Sequence, residues 1–99
     1  MNSQDLLTNQ VVYLTSLLSE RPAVVEAETL WPTYVSLQAM PQTEESERVW
    51  PYIGPVRCAV DAYVHQRQPI RLRAAQGILF TLRQALAVLQ GDRAGKTGW

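Results

Sequence analysis

The sequence predicts an all-α fold, a small bundle of about four helices with proline-kinked connections. Three observations carry that prediction. Apolar residues recur at helical spacing over the first twenty residues and again between Pro69 and Gln90. Six prolines punctuate the chain between the apolar runs. The composition, 46% hydrophobic and 18% charged over 99 residues, is that of one folded domain. The expected organisation is a single helical domain over residues 1–90 and a flexible tail over 91–99.

The first helix is read over residues 3–20. Leu7, Val11, Leu14 and Leu18 form its apolar stripe, and Leu6, Tyr13 and Leu17 widen it. Ser3 is its N-cap candidate, and Asp5 suits the positive end of the helix dipole. Pro22 ends that helix, because the residue before a proline avoids the α region, and is expected to open the next. Val24, Val25, Ala27, Leu30 and Trp31 are spaced for this second helix. Pro32 either kinks it or starts another, and Tyr34, Val35, Leu37 and Met40 continue the apolar pattern. The polar stretch from Pro41 to Glu47 reads as a surface loop in which Thr43 or Ser46 could cap the next helical segment. Two prolines and a glycine are expected to prevent one clean helix between Arg48 and Pro55. The Trp31-Pro32 and Trp50-Pro51 corners are expected to plug the ends of the bundle.

Pro55 is read as opening a strong helix to about Gln66, with Val56, Ala59, Val60, Tyr63 and Val64 inward. Pro69 is read as opening the last one. Leu72, Ala75, Leu79, Leu82, Leu86 and Leu89 step along that helix as the seam of a packed bundle. Ala74, Gly77, Ile78, Phe80, Ala85, Ala87 and Val88 leave it little polar surface, so it is expected to be central or shared with a partner. Gly91 is expected to end it.

Net charge is zero, but unevenly placed. Residues 1–54 carry two basic and seven acidic side chains, and residues 55–99 carry seven basic and two acidic. That split either orients a partner or neutralises when the halves fold together. One cysteine, Cys58, excludes an intramolecular disulfide, and with one histidine, His65, no metal site or other cofactor is expected. No apolar run reaches the length of a membrane span. With no basic leader before an apolar run, the chain is expected to work in the cytoplasm.

The motifs that suggest chemistry are weak. Gly91-Asp92-Arg93-Ala94-Gly95-Lys96-Thr97 approaches a phosphate-binding loop, but only three residues separate its glycines and no strand precedes it. Cys58 and His65 lie two turns apart on one predicted helix, so a buried structural cysteine and a surface histidine are expected in place of a catalytic pair. Glu44, Glu45 and Glu47 read as solvated loop carboxylates. Nothing supports a Ser/His/Asp set, and no catalytic residue is assigned.

From Ile53 onward, Ile53-Gly54-Pro55 opening one helix and Arg71-Leu72-Arg73-Ala74-Ala75-Gln76-Gly77-Ile78-Leu79 opening the next resemble a stretch near the C-terminus of integrase-core insertion-sequence transposases. The resemblance covers about residues 53–82 and none of that family's carboxylate catalytic core. It implies a helical hairpin from a mobile element and carries over no catalytic residue.

The sequence therefore points to a non-enzymatic interaction protein: an adaptor, inhibitor or assembly factor, encoded by a phage or mobile element, that binds another protein or itself as a homo-oligomer. Its expected contact residues are Trp31, Trp50, Arg73, Ala74, Gly77, Thr81 and Ala85. Core anchoring is the competing role for the two tryptophans. The alternative function is a nucleic-acid-binding regulator that uses Arg67, Arg71, Arg73 and Arg83.

Overall fold

A computed structural model describes residues 3–20, 23–40 and 42–97, without side chains beyond Gly91. The fold is all-α, as the apolar periodicity predicts. Helix α1 spans Ser3–Ser19, α2 Trp31–Gln38, α4 Trp50–Gln66 and α5 Leu72–Thr97, and a single helical turn, α3, spans Glu44–Glu47. The Ser3 side chain and Pro22 lie outside the described residues, and with them the capping and helix-start roles read for them.

One element breaks the all-helical expectation. Val24–Val25 (β1) and Ile70–Arg71 (β2) form a short antiparallel pair, Val24 opposite Arg71 and Val25 opposite Ile70. Apolar spacing and the preceding prolines assign both segments to helices, and the structure corrects that assignment. Two residues per strand are too few for an alternating pattern, and β-branched Val24, Val25 and Ile70 favour the pleated backbone. Leu72 N–H extends the pair by donating to Ala23 C=O at 3.2 Å. Consequently α5 starts at Leu72, three residues later than Pro69.

The pairing also sets helix direction. The chain just beyond the end of α1 meets the start of α5, while Thr15 of α1 meets Arg83, a full three turns into α5, at 3.2 Å. The two helices thus pack antiparallel. Their shared core contains Leu7 and Leu14 on one side and Leu82, Ala85 and Leu89 on the other, all essentially inaccessible to solvent. Tyr13 donates its hydroxyl to Thr29 C=O, which ties α1 to the 3₁₀ turn Ala27–Leu30 that leads into α2.

Pro32 starts α2; it does not kink a longer helix. It occupies the first turn, where its missing N–H has no helical partner to lose. Residues 44–47, read as loop, form α3. Thr43 Oγ1 accepts from Ser46 N–H at 3.2 Å, and buried Ser46 Oγ accepts from Thr43 N–H at 2.7 Å. This is a reciprocal capping box, with serine in the position glutamate usually fills.

Helix α4 runs unbroken through Pro51, Gly54 and Pro55, against expectation. Pro51 lies in its first turn and costs nothing there. Pro55 removes one helical hydrogen bond, and its ring would crowd the Cβ of the residue before it. Gly54 has no Cβ, so the helix passes. Burial of Ile53 and Val56 on either side of this junction holds it in place. At the other end the helical backbone of α5 continues past Gly91 to Thr97. The expected stop at Gly91 is not observed, because glycine lowers helix propensity without forbidding the α conformation.

Candidate functional site

Helix α5 buries Ala75, Ile78, Leu79, Leu82, Ala85 and Leu89 against α1 and α4. These alternate in steps of three, one and four residues and make a wide stripe that accounts for most of its apolar surface. Ala85, an expected contact residue, has no exposed surface at all and is corrected to a core position. Gly77 stays exposed and Thr81 half-buried, its hydroxyl donating to Gly77 C=O at 3.0 Å. Up to Gly91 the outward surface of α5 is otherwise polar or small (Arg73, Gln76, Arg83, Gln84, Ala87) apart from one large apolar side chain, Phe80, 63% exposed. The helix is central to the fold, but its outer surface is not the continuous apolar face its composition suggests.

Apolar exposure is instead prominent on α2. Trp31 is 52% and Val35 45% exposed, one helical turn apart on the same face. Trp31 is therefore not a core anchor. Its ring packs on Tyr34 at a centroid distance of 5.5 Å, and Tyr34 meets His65 of α4 edge-on at 6.1 Å. Trp50 is half-buried against the core.

Between α2 and α4 lies a groove of about 560 Å³. Tyr34 and Gln38 form its α2 wall, and Trp50, Gly54, Arg57, Cys58, Asp61 and His65 form its α4 wall. The α4 residues repeat every three to four positions, so they share one helix face over about 22 Å. Trp31 stands beside the groove through its contact with Tyr34.

One end of the groove holds a polar network. His65 Nε2 lies 2.8 Å from Asp61 Oδ1, one turn earlier on α4. Gln38 Nε2 donates to the Tyr34 hydroxyl. The hydrogen bond from that hydroxyl to the Asp61 carboxylate holds the Tyr34 phenol above its ordinary value of 10.0, since ionising it would set two negative groups face to face. Cys58 is exposed, not buried as expected, and it lines the same groove as His65. The imidazole partner is nonetheless Asp61, not the thiol. Arg57 and Asp61 place one charge of each sign along the groove.

A second pocket, of about 490 Å³, lies where α4 turns into α5. Tyr63, Gln68, Pro69, Arg71, Arg73 and Ala74 line it. Of the four arginines considered for nucleic acid, the structure brings Arg71 and Arg73 together here. Arg67 sits nearby at the end of α4, in the left-handed conformation (φ 52°, ψ 34°). Arg83 lies elsewhere, bound to Thr15 on the flank facing α1. The four do not form a track. No carboxylate among the described residues is in ion-pair contact with Arg57, Arg67, Arg71, Arg73 or Arg83.

Sequence reasoning missed Tyr34, Gln38, Arg57 and Asp61 as groove residues. The α4 stripe from Trp50 to His65 is visible in the spacing once Trp50 to Gln66 is taken as one helix. The α2 wall arises only from the packing of the two helices. Searches against protein families, curated proteins and solved structures found no match to the chain.

Proposed function

We propose that this chain is a non-enzymatic protein–protein interaction module whose partner docks on the α2–α4 face. The observation that carries the reading is the pair Trp31 and Val35, half-exposed one turn apart beside a groove that Trp50 and Tyr34 line. Tryptophan has a large apolar surface that a folded chain normally covers, and half-exposed aromatic anchors at a concave edge are the usual centre of binding energy in protein interfaces. The groove's length suits about four turns of a partner helix, or an extended segment. Its polar end, with Arg57, Asp61, His65 and the Tyr34 hydroxyl, supplies the directional contacts that fix register. An adaptor, inhibitor or assembly factor, encoded by a phage or mobile element, fits this description.

The nucleic-acid reading draws less support, because Arg83 is separated from Arg71 and Arg73 and the chain is neutral overall. The test of the partner reading is affinity capture from the source organism with wild-type chain and with the double variant Trp31→Ala, Val35→Ala. Both substitutions remove half-exposed side chains, so the fold should survive, which circular dichroism checks. A protein captured by the wild type and lost by the variant supports the reading. Equal capture by both refutes it.

A further inference from the structure

We infer that the pocket between α4 and α5 binds a small phosphate monoester. This goes beyond the partner face and rests on different residues. The pocket's lining holds two guanidinium groups, one phenol, one carboxamide and no carboxylate. Neither Arg71 nor Arg73 has an acidic partner among the described residues. Two positive side chains therefore face one concavity without internal compensation.

Their backbone positions are fixed by the fold. Arg71 is held by the antiparallel pairing opposite Val24, and Arg73 by the first turn of α5. Arginine's planar fork suits oxyanions with two or more oxygens, which it can grip through paired N–H donors. Arg73 and Ala74 also lie where the backbone amides of a helix lack helical acceptors and its dipole is positive, which adds to the attraction.

Charge decides among the possible anions. Two guanidinium groups match the charge of about −1.5 to −2 that a phosphate monoester carries at neutral pH. A carboxylate, or one diester linkage of a nucleic-acid backbone, brings a single negative charge. A nucleic acid would also need a run of cations along its strand, and Arg83 is displaced to the α1 flank. The volume, about 490 Å³, falls in the range of small-molecule pockets, roughly 300–1,000 Å³. Tyr63 offers an aromatic wall for a ring carried on the phosphate.

The test is a titration of the full chain, followed by amide chemical shifts, with phenyl phosphate, benzenesulfonate and a single-stranded oligothymidylate. Phenyl phosphate should give saturable shifts at Tyr63, Arg71, Arg73 and Ala74 and bind several times tighter than benzenesulfonate. The double variant Arg71→Gln, Arg73→Gln should weaken phenyl phosphate about tenfold or more. Should the double variant fail to fold, Arg73→Gln alone serves, since that side chain is exposed. Absence of shifts, equal affinity for the sulfonate, binding indifferent to the arginines, or preference for the oligonucleotide would each overturn the inference.

Discussion

Val25 stands directly opposite Ile70 in a pairing only two residues long, and both side chains are almost completely buried. The contact joins segments forty-five residues apart in sequence. It positions the start of α5 against the chain that leaves α1, and so sets the antiparallel packing on which the core depends. Replacing Ile70 with alanine should cost about 2–5 kcal/mol, the range for deleting a fully buried large aliphatic side chain. Chemical denaturation would measure it, and a loss under about 1 kcal/mol would mean that the pairing does not organise the fold.

Arg67 closes α4 in a conformation that L-residues other than asparagine and aspartate rarely adopt. Gln68 N–H reaches Tyr63 C=O and Arg67 N–H reaches Val64 C=O, each at 3.3 Å, the pattern of a helix closed by a glycine. Glycine at this position should relieve backbone crowding, offset in part by its greater freedom when unfolded. Arg67→Gly is thus expected to stabilise the chain by about 0.5–1 kcal/mol. A lower thermal midpoint in the variant would contradict the assignment.

Much of this architecture is legible in the sequence, and the exceptions have a common cause. The α1 stripe and the α5 seam are long, one-sided patterns whose period alone identifies them. The β1–β2 pair is short and non-local, and each half reads as the start of a helix because a proline precedes it. Ala85 and Phe80 show the same limit on the surface. The predicted seam leaves Ala85 outside and gives Phe80 no special place, whereas the packing buries Ala85 and leaves Phe80 open. In the groove, the α4 wall is contained in the spacing, but Tyr34 and Gln38 are joined to it only by tertiary contact. The sequence draws the eye to Cys58 and His65 as its single thiol and single imidazole, yet the partner of His65 is Asp61, one turn away and chemically unremarked among nine carboxylates.

Thr33 is fully buried on α2, and its hydroxyl finds no hydrogen-bond partner among the described residues. A buried, unsatisfied hydroxyl costs about 1–3 kcal/mol, and valine has nearly the same shape without that penalty. Thr33→Val should therefore raise stability by about 1 kcal/mol in a denaturant titration. Destabilisation would show that the hydroxyl is satisfied in solution.

Alkaline pH addresses the Tyr34–Asp61 contact. The phenol's folded-state value lies above its ordinary 10.0, raised first by the hydrogen bond to Asp61 and opposed by Arg57 and Gln38. The folded state thus holds this proton longer than the unfolded state. The stabilisation is complete below pH about 10 and is lost as pH rises through the folded value. Tyr34→Phe should lower stability at neutral pH and flatten the decline above pH about 10. Parallel alkaline declines in the two proteins would exclude the contact as a source of pH dependence.

The central claim is that partners meet the α2–α4 face and not the outer surface of α5. Both surfaces display one large exposed aromatic residue, Trp31 at 52% and Phe80 at 63%. Placing a photo-crosslinking phenylalanine analogue at position 31 in one protein and at position 80 in another compares them directly. A covalent partner adduct is expected from position 31 and none from position 80. An adduct from position 80 alone would contradict it.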